Sequence, residues 1–347
     1  MTASQAPGVA LVREALPLFG IDTSARITFI KERENQVFRV ESDGQDCAVR
    51  IHRPGYRAAA EIECESHHLR GLQEAGLLVP EPVESLLGGY TVPVDGDQRL
   101  VSVQRWFPDA FPIADSFKVF AGGGTLDQDH MRQLGTVMAR HHLHAESTTP
   151  PESLRRPAWD LDGLFGPGAL WGDGTLLRSL TPEDRLSLAK AAEAASLVIE
   201  ALGRDRNVFG AIHADMTFEN VLATRNGLVI IDFDDFGEGW FGFDIATALF
   251  FATPHPNYAI LADAFLGGYE SVRALDPSVL DALDAFLIAR GMSYLGWAAD
   301  RPGDPASDFA ESRLGPWVVE AANRFTGSGS TGWIQKYDSS TTPKGEI

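Results

Sequence analysis

The sequence predicts an α+β protein in two lobes, a small one built on an antiparallel sheet and a larger, mainly helical one. Three observations carry that expectation. Short alternating apolar runs fill the chain up to about residue 105; helical periodicity dominates from His130 onward; and a single Asn-Gly hairpin signal interrupts the helical part. In the first region, residues 27–52 read "ITFIKERENQVFRVESDGQDCAVRIH", where "VFRVE" and "CAVRI" alternate with a period of two on either side of the turn-forming "SDGQD". A helix follows in "AAAEIECESHHLRGLQEAG", with Gly76 placed to end it before "VPEP". "GYTVPV" and "RLVSVQRWF" resume the strands, giving the order strand, strand, helix, strand, strand. Beyond it, "HMRQLGTVMARHHLHAES", "EDRLSLAKAAEAASLVIEALG" and "SVLDALDAFLIARGMSYLGWAAD" repeat apolar residues at helical spacing, while "NVLAT" and "LVIIDF" flank Arg225, Asn226 and Gly227 as a hairpin. The Gly-, Ser- and Thr-rich end reads as a poorly packed tail. The expected organisation is residues 1–105, 106–326 and a flexible 327–347.

Composition narrows the partners. The chain has 347 residues, 44% of them hydrophobic, with 29 Lys and Arg against 48 Asp and Glu and a formal charge of -19. Such a surface repels phosphate backbones and anionic lipid heads, so neither nucleic acid nor a membrane is expected as a partner. Cys47 and Cys64 form no CxxC pair, and neither a basic-apolar leader nor an apolar run of about 20 residues is evident, which points to a cytoplasmic protein.

The chemistry concentrates in "HADMTFENVLATRNGLVIIDFDD", residues 213–235. The turn at Asn226-Gly227 folds Asn220 back toward Asp232, and an amide with a carboxylate suits Mg²⁺, a hard cation that prefers oxygen ligands. Asp215 precedes Asn220 by five residues, the spacing between catalytic Asp and metal-binding Asn in protein kinases, which points to phosphoryl transfer. By contrast "HHLH", at His141, His142 and His144, lies mid-helix without an HExxH partner and reads as helix packing rather than a zinc site.

"HADMTFENVL", "VIIDFDD" and "FGFDIATAL" resemble the signature run of the aminoglycoside phosphotransferase and choline kinase superfamily, which has a protein-kinase-like fold. "ENQVFRV", "CAVRIHRPGYR" and "LGTVMARHH" are most similar to its stress response kinase A and type II homoserine kinase branch. The resemblance spans about residues 25–300. It implies that Asp215 is the catalytic base, that Asn220 and Asp232 bind Mg²⁺, and that His213 and Asp244 brace the loop; on the residues alone, Asp244 reads equally as a helix N-cap. For Asp234 a second metal contact, a substrate ammonium contact and plain surface solvation are all open, one of the first two being favoured. The family's phosphate-binding lysine is replaced by Arg50, with Glu65, or Glu61 one turn earlier, as its helix partner. Asn35, in the connection that replaces a glycine-rich loop, is the candidate to cover the phosphates. Residues Gln104 to Trp106 fall at the expected interlobe hinge, where backbone atoms would meet an adenine.

The implied activity is transfer of the γ-phosphoryl group of ATP, or of GTP, with Mg²⁺, to an alcohol. Residues up to 105 carry 11 Lys and Arg against 15 Asp and Glu, leaving 18 against 33 beyond, so the acidic second lobe favours a small cationic acceptor such as an amino alcohol, aminoglycoside or homoserine-like molecule. The alternatives are a protein hydroxyl as acceptor, as the stress response kinase A resemblance implies, and a catalytically silent nucleotide-binding module, suggested by Arg50.

Overall fold

The computed structural model describes residues 8–32, 35–42, 46–96, 98–148 and 156–333. In chain order the elements are α1 (Val9–Ala15), β1 (Arg26–Glu32), β2 (Asn35–Glu41), β3 (Cys47–His52), α2 (Ala59–Glu74), β4 (Thr91–Val94), β5 (Arg99–Arg105) and β6 (Phe111–Pro112). Then come α3 (Ser116–Phe120), α4 (Gln128–Ser147), α5 (Leu161–Phe165), α6 (Pro182–Glu200), β7 (Phe209–Ile212), β8 (Val221–Thr224), β9 (Gly227–Ile230) and β10 (Gly237–Trp240). The helices α7 (Phe241–Phe250), α8 (Tyr258–Glu270), α9 (Pro277–Asp281), α10 (Leu283–Ala299), α11 (Pro305–Phe309) and α12 (Gly315–Ser328) complete it. The chain divides into two compact units, the first comprising Met1–Phe111, Thr149–Arg156 and Thr224–Asp234, the second Pro112–Thr148, Pro157–Ala223 and Asp235–Ile347.

The first unit is organised by an antiparallel sheet in the order β1-β2-β3-β5-β4. It has one strand more than the sequence order implied. Period-two alternation on β3 sorts its residues onto two faces. Cys47, Val49 and Ile51 enter the core that Val12, Ala15 and Leu16 cover. Arg50 and His52 point the other way and are also buried, with Arg50 against Glu65 of α2. The amphipathic demand of α2 explains that burial: Ile62, Glu65, Leu69 and Leu72 share a stripe at helical spacing. The helix stops at Gly76, whose φ of 82° suits the left-handed step and lets the Leu77 N–H bond the Leu72 carbonyl.

β1 carries a bulge between Phe29 and Lys31, so Phe29 pairs with Phe38 but Lys31 pairs with Val37. Without the extra residue Lys31 would follow Phe29 onto the core face. With it, Lys31, Val37, Arg50 and Ser102 form one cross-strand row on the Arg50 face.

The second unit is mainly helical. α4 packs along α8, and α10 contacts α6, α7 and α12. The α4–α8 approach depends on small residues: a Cβ on Gly135 would collide with the Phe265 carbonyl, and one on Gly268 with that of Arg132. α7 is buried on every side. The strands β7 and β10 pair antiparallel, Phe209 opposite Trp240 and Ile212 opposite Gly237.

The expected loose tail begins too early. α12 continues through Ser328, and beyond it Trp333 is buried, its ring 5.6 Å from that of Trp317, while the Thr331 N–H donates to Asp284 at 3.0 Å. A single tryptophan gives this polar stretch an apolar anchor that average composition conceals. Residues 334–347 lie outside the described residues.

Candidate active site

In the second unit, the chain leaves β7 at Ile212 and turns sharply. Ala214 has φ of 65°, a left-handed conformation unusual for a residue with a Cβ. Something must hold it, and Asp244 does: its two carboxylate oxygens accept the N–H groups of His213, at 2.9 Å, and Ala214, at 2.7 Å. Burial alone would raise the Asp244 pKa, yet the hydrogen bond from His142 and the nearby imidazoles outweigh it and hold the carboxyl below its usual value. Asp244 lies inside α7, whose N-cap is Trp240, so it braces the loop rather than capping the helix. His213 is fully buried, and its Nδ1 accepts the Asp215 N–H at 3.2 Å.

That loop presents Asp215 with both carboxylate oxygens engaged. Asn220 donates from Nδ2 to Asp215 Oδ2 at 3.0 Å and to the Asp215 carbonyl at 2.8 Å. Arg290 of α10 donates from Nη2 to Asp215 Oδ1 at 2.6 Å and from Nη1 to the Ala214 carbonyl at 2.8 Å. The Arg290 side chain is wholly buried, with its guanidinium 4.3 Å from the Trp171 ring centre and 4.0 Å from that of Tyr294. The Asp215 side chain keeps 23% exposure. A carboxylate fixed by two donors yet open to solvent can orient an incoming hydroxyl and take its proton.

His141 and His142 lie beside Asp244, close enough for three ligand atoms to share a metal. Two of the three have other duties: His142 Nδ1 meets the Tyr269 hydroxyl at 2.8 Å, its Nε2 meets Asp244 at 3.3 Å, and Asp244 holds two backbone N–H groups. Burial lowers the His142 pKa and keeps the ring neutral. His142 and Asp244 therefore form a hydrogen-bonded brace behind the loop.

In the first unit, β9 ends at Ile230, and Asp232 lies beyond it with φ of 66°. Asp232 and Asp234 do not alternate along a strand, because Phe233–Asp235 is a tight helical turn. The turn separates the two carboxylates by role. Asp234 is buried: Oδ1 accepts from Arg50, Oδ2 from Asn35, and its carbonyl from Arg57 and Arg156. Asp234 is thus engaged by a protein donor on each carboxylate oxygen. Asp232 is 30% exposed and takes the Lys31 ammonium on Oδ2 at 2.9 Å. Its carboxylate, already facing a cation, has the hard oxygen chemistry that Mg²⁺ requires; the carboxamide oxygen of Asn220 offers the same chemistry in the second unit.

Arg50 bonds Glu65 Oε1 at 2.5 Å as well as Asp234, and both ends of this network are buried. Burial would lower the Arg50 pKa, but the carboxylates of Asp234, Glu65 and Asp232 more than offset it, so the guanidinium stays charged. Arg50 is thus surrounded by protein acceptors, not poised as an open phosphate ligand. Glu61 is occupied elsewhere, its Oε2 accepting the Ala58 N–H at 2.8 Å at the start of α2, which leaves Glu65 as the helix partner. At the expected adenine edge, the N–H of Arg105 bonds the Glu81 carbonyl at 2.8 Å and that of Trp106 the Asp46 carbonyl at 2.9 Å. The Gln104 side chain turns to Glu65 at 3.5 Å, and Trp106 is half-buried beneath the Arg39 guanidinium. Neither of those two N–H groups remains for an adenine.

Sequence reasoning passed over Lys31, Arg57, Arg156 and Arg290. Only Arg290 left a signal, as the single charge inside the apolar run "AFLIARGMSYLGWAA".

An antiparallel-sheet lobe, a helical lobe and an Asp215–Asn220 loop followed by Asp232 define the protein-kinase-like phosphotransferases. Residues 26–282 match the Phosphotransferase enzyme family, and the chain belongs to that family. Amicoumacin kinase of Bacillus subtilis is 24% identical over 303 residues, covering 82% of this chain and 83% of its own. Among solved structures, a microcompartment-associated aminopropanol kinase superposes with a TM-score of 0.81 at 24% identity, covering 94% of this chain and 99% of its own. An amicoumacin kinase in complex with AMP-PNP, Ca²⁺ and amicoumacin gives 0.72 at 20% identity, covering 91% and 94%. The chain is therefore an enzyme that transfers a phosphoryl group to an alcohol acceptor. Among the described residues no helix is long and apolar enough to cross a membrane.

Proposed function

We propose that this enzyme moves the γ-phosphoryl group of ATP, with Mg²⁺, to a hydroxyl of a small cationic molecule of the amino alcohol class. The observation that carries the reading is Asp215, fixed by Arg290 and Asn220 while a quarter of its side chain stays open. In this reading Asp215 accepts the hydroxyl proton and directs the oxygen along the line of attack. A loose transition state asks little basicity of it and much orientation. Asp232 and Asn220 would each offer an oxygen ligand to a divalent ion, and a bound ion would supply charge neutralisation for the transferring group. Glu65, Arg50, Asn35 and Asp234 set the shape of the nucleotide half from beneath. Asp244 and His213 keep the strained loop in register.

The cationic acceptor draws support from the second lobe's acidic balance and from the aminopropanol kinase among the structural relatives. A panel decides it: ADP release with Mg²⁺ and ATP or GTP, against aminopropanol, choline-like amines, homoserine, an aminoglycoside, neutral sugars and a basic protein. Stimulation by cationic amino alcohols is the expected result; stimulation by neutral sugars or by protein alone would reject the acceptor class. Nucleotide binding without turnover on any acceptor would favour a silent module.

A further inference from the structure

Two basic side chains share the cross-strand row on the nucleotide half of the first unit, and they differ in almost every respect. Arg50 is buried, bonded to Glu65 and Asp234, and backed by Arg156, whose Nη1 is 3.8 Å from Glu65. Lys31 has a side chain 44% exposed at the end of β1. The bulge between Phe29 and Lys31 is what puts it on this face. Two strand spacings separate Lys31 from Arg50, on the order of 10 Å. Its ammonium bonds Asp232, the carboxylate assigned above to the metal.

We propose that Lys31 is the cation that meets the polyphosphate of the nucleotide, and that in the nucleotide-free protein its ammonium occupies the position at Asp232 that the divalent ion takes when nucleotide binds. This inference rests on the nucleotide reading above and assigns the phosphate contact to the exposed Lys31, while Arg50 keeps its buried bonds to Glu65 and Asp234. The exchange keeps a cation at Asp232, a doubly charged metal taking the place of a singly charged ammonium, and the negative phosphates that arrive with the metal offset the added charge. One positive group leaves as the metal arrives, and the released ammonium, on a flexible four-carbon stem, is free to swing to the phosphate oxygens that arrive with the metal. Lysine suits this because it is a compact point charge on a mobile chain, whereas a guanidinium bound bidentately would have to give up two contacts at once.

Binding, not turnover, provides the test. Titration calorimetry on the full chain would compare wild type, Lys31→Met and Lys31→Arg with adenosine, ADP plus Mg²⁺, and Ca²⁺ alone. Lys31 is half-exposed, so Lys31→Met should melt within a degree or two of wild type. The expected result has three parts. Lys31→Met loses about tenfold or more in affinity for ADP, binds adenosine as wild type does, and binds Ca²⁺ alone several-fold more tightly because a competing charge has gone. Lys31→Arg recovers most of the ADP affinity. Unchanged ADP and Ca²⁺ affinities in Lys31→Met would overturn the proposal while leaving the nucleotide reading standing. A wild type that binds neither adenosine nor ADP would overturn that reading and this inference with it.

Discussion

Arg50 in the first unit and Arg290 in the second are both buried guanidiniums that grip an aspartate of the same short motif, yet they are built differently. Arg50 stands between two buried carboxylates, Glu65 and Asp234, so its surroundings are ionic and its partners depend on it as much as it does on them. Arg290 lies against the faces of Trp171 and Tyr294 and, among the described residues, pairs with one carboxylate, that of the partly exposed Asp215. The contrast separates a group held between buried carboxylates from a group that orients a partly exposed one. A buried ion pair is costly to break from one side, because the abandoned charge has no water to turn to. An exposed carboxylate loses only its orientation.

The largest effect expected from breaking this contrast is in stability. Arg50→Met should lower the unfolding free energy by about 3–5 kcal/mol, measured by urea denaturation, because Glu65 and Asp234 remain buried without their cation. Arg50→Lys should lose less, since one ammonium can serve one carboxylate.

Arg290→Met, which keeps the volume between the rings, should lower kcat by about 10- to 100-fold with nucleotide affinity unchanged, as expected for lost orientation of a base. A fall in nucleotide affinity with intact kcat would reverse the roles assigned to the two arginines.

Acidification sharpens the comparison with a smaller effect. His52 beside Arg50 is held well below its usual pKa, first by burial and then by the charges of Arg50 and Arg156; His142 behind the Asp215 loop is lowered chiefly by burial. A lowered folded pKa means the unfolded chain binds more protons below pH 6.5, so this contribution to stability is complete above 6.5 and lost as pH falls toward the folded values. Each histidine then contributes a slope of about 1.4 kcal/mol per pH unit. Unfolding free energies measured between pH 7.5 and 5.5 should therefore fall, and His52→Gln should make that fall shallower.

Local sequence spacing was the legible part. Asp215 and Asn220 lie five residues apart on one loop and hydrogen-bond directly, and a hairpin signal marked the turn that precedes Asp232; Arg50 and Glu65 follow from a strand and a helix whose periodicities mark their inward faces. Lys31, Arg156 and Arg290 were hidden for different physical reasons. The bulge in β1 breaks the alternation that would have marked Lys31 and the strand itself, which is why the sheet has one strand more than the pattern suggested. Arg156 follows a proline-containing linker with no period to read. Arg290 sits 75 residues from Asp215, and only tertiary packing joins them. Asp234 shows the opposite failure: its motif position suggested a ligand-facing role, but the tight turn after Asp232 sends it inward to Arg50 and Asn35.

The central claim is that Asp215 is held by the protein as the oriented acceptor of the hydroxyl proton. The direct measurement is acceptor-dependent ADP release by wild type and Asp215→Asn at saturating Mg²⁺ and ATP, with nucleotide affinity determined on the same samples. The account predicts a loss in kcat on the order of 10³-fold or more with nucleotide affinity within about twofold. Transfer at the wild-type rate by Asp215→Asn would contradict it.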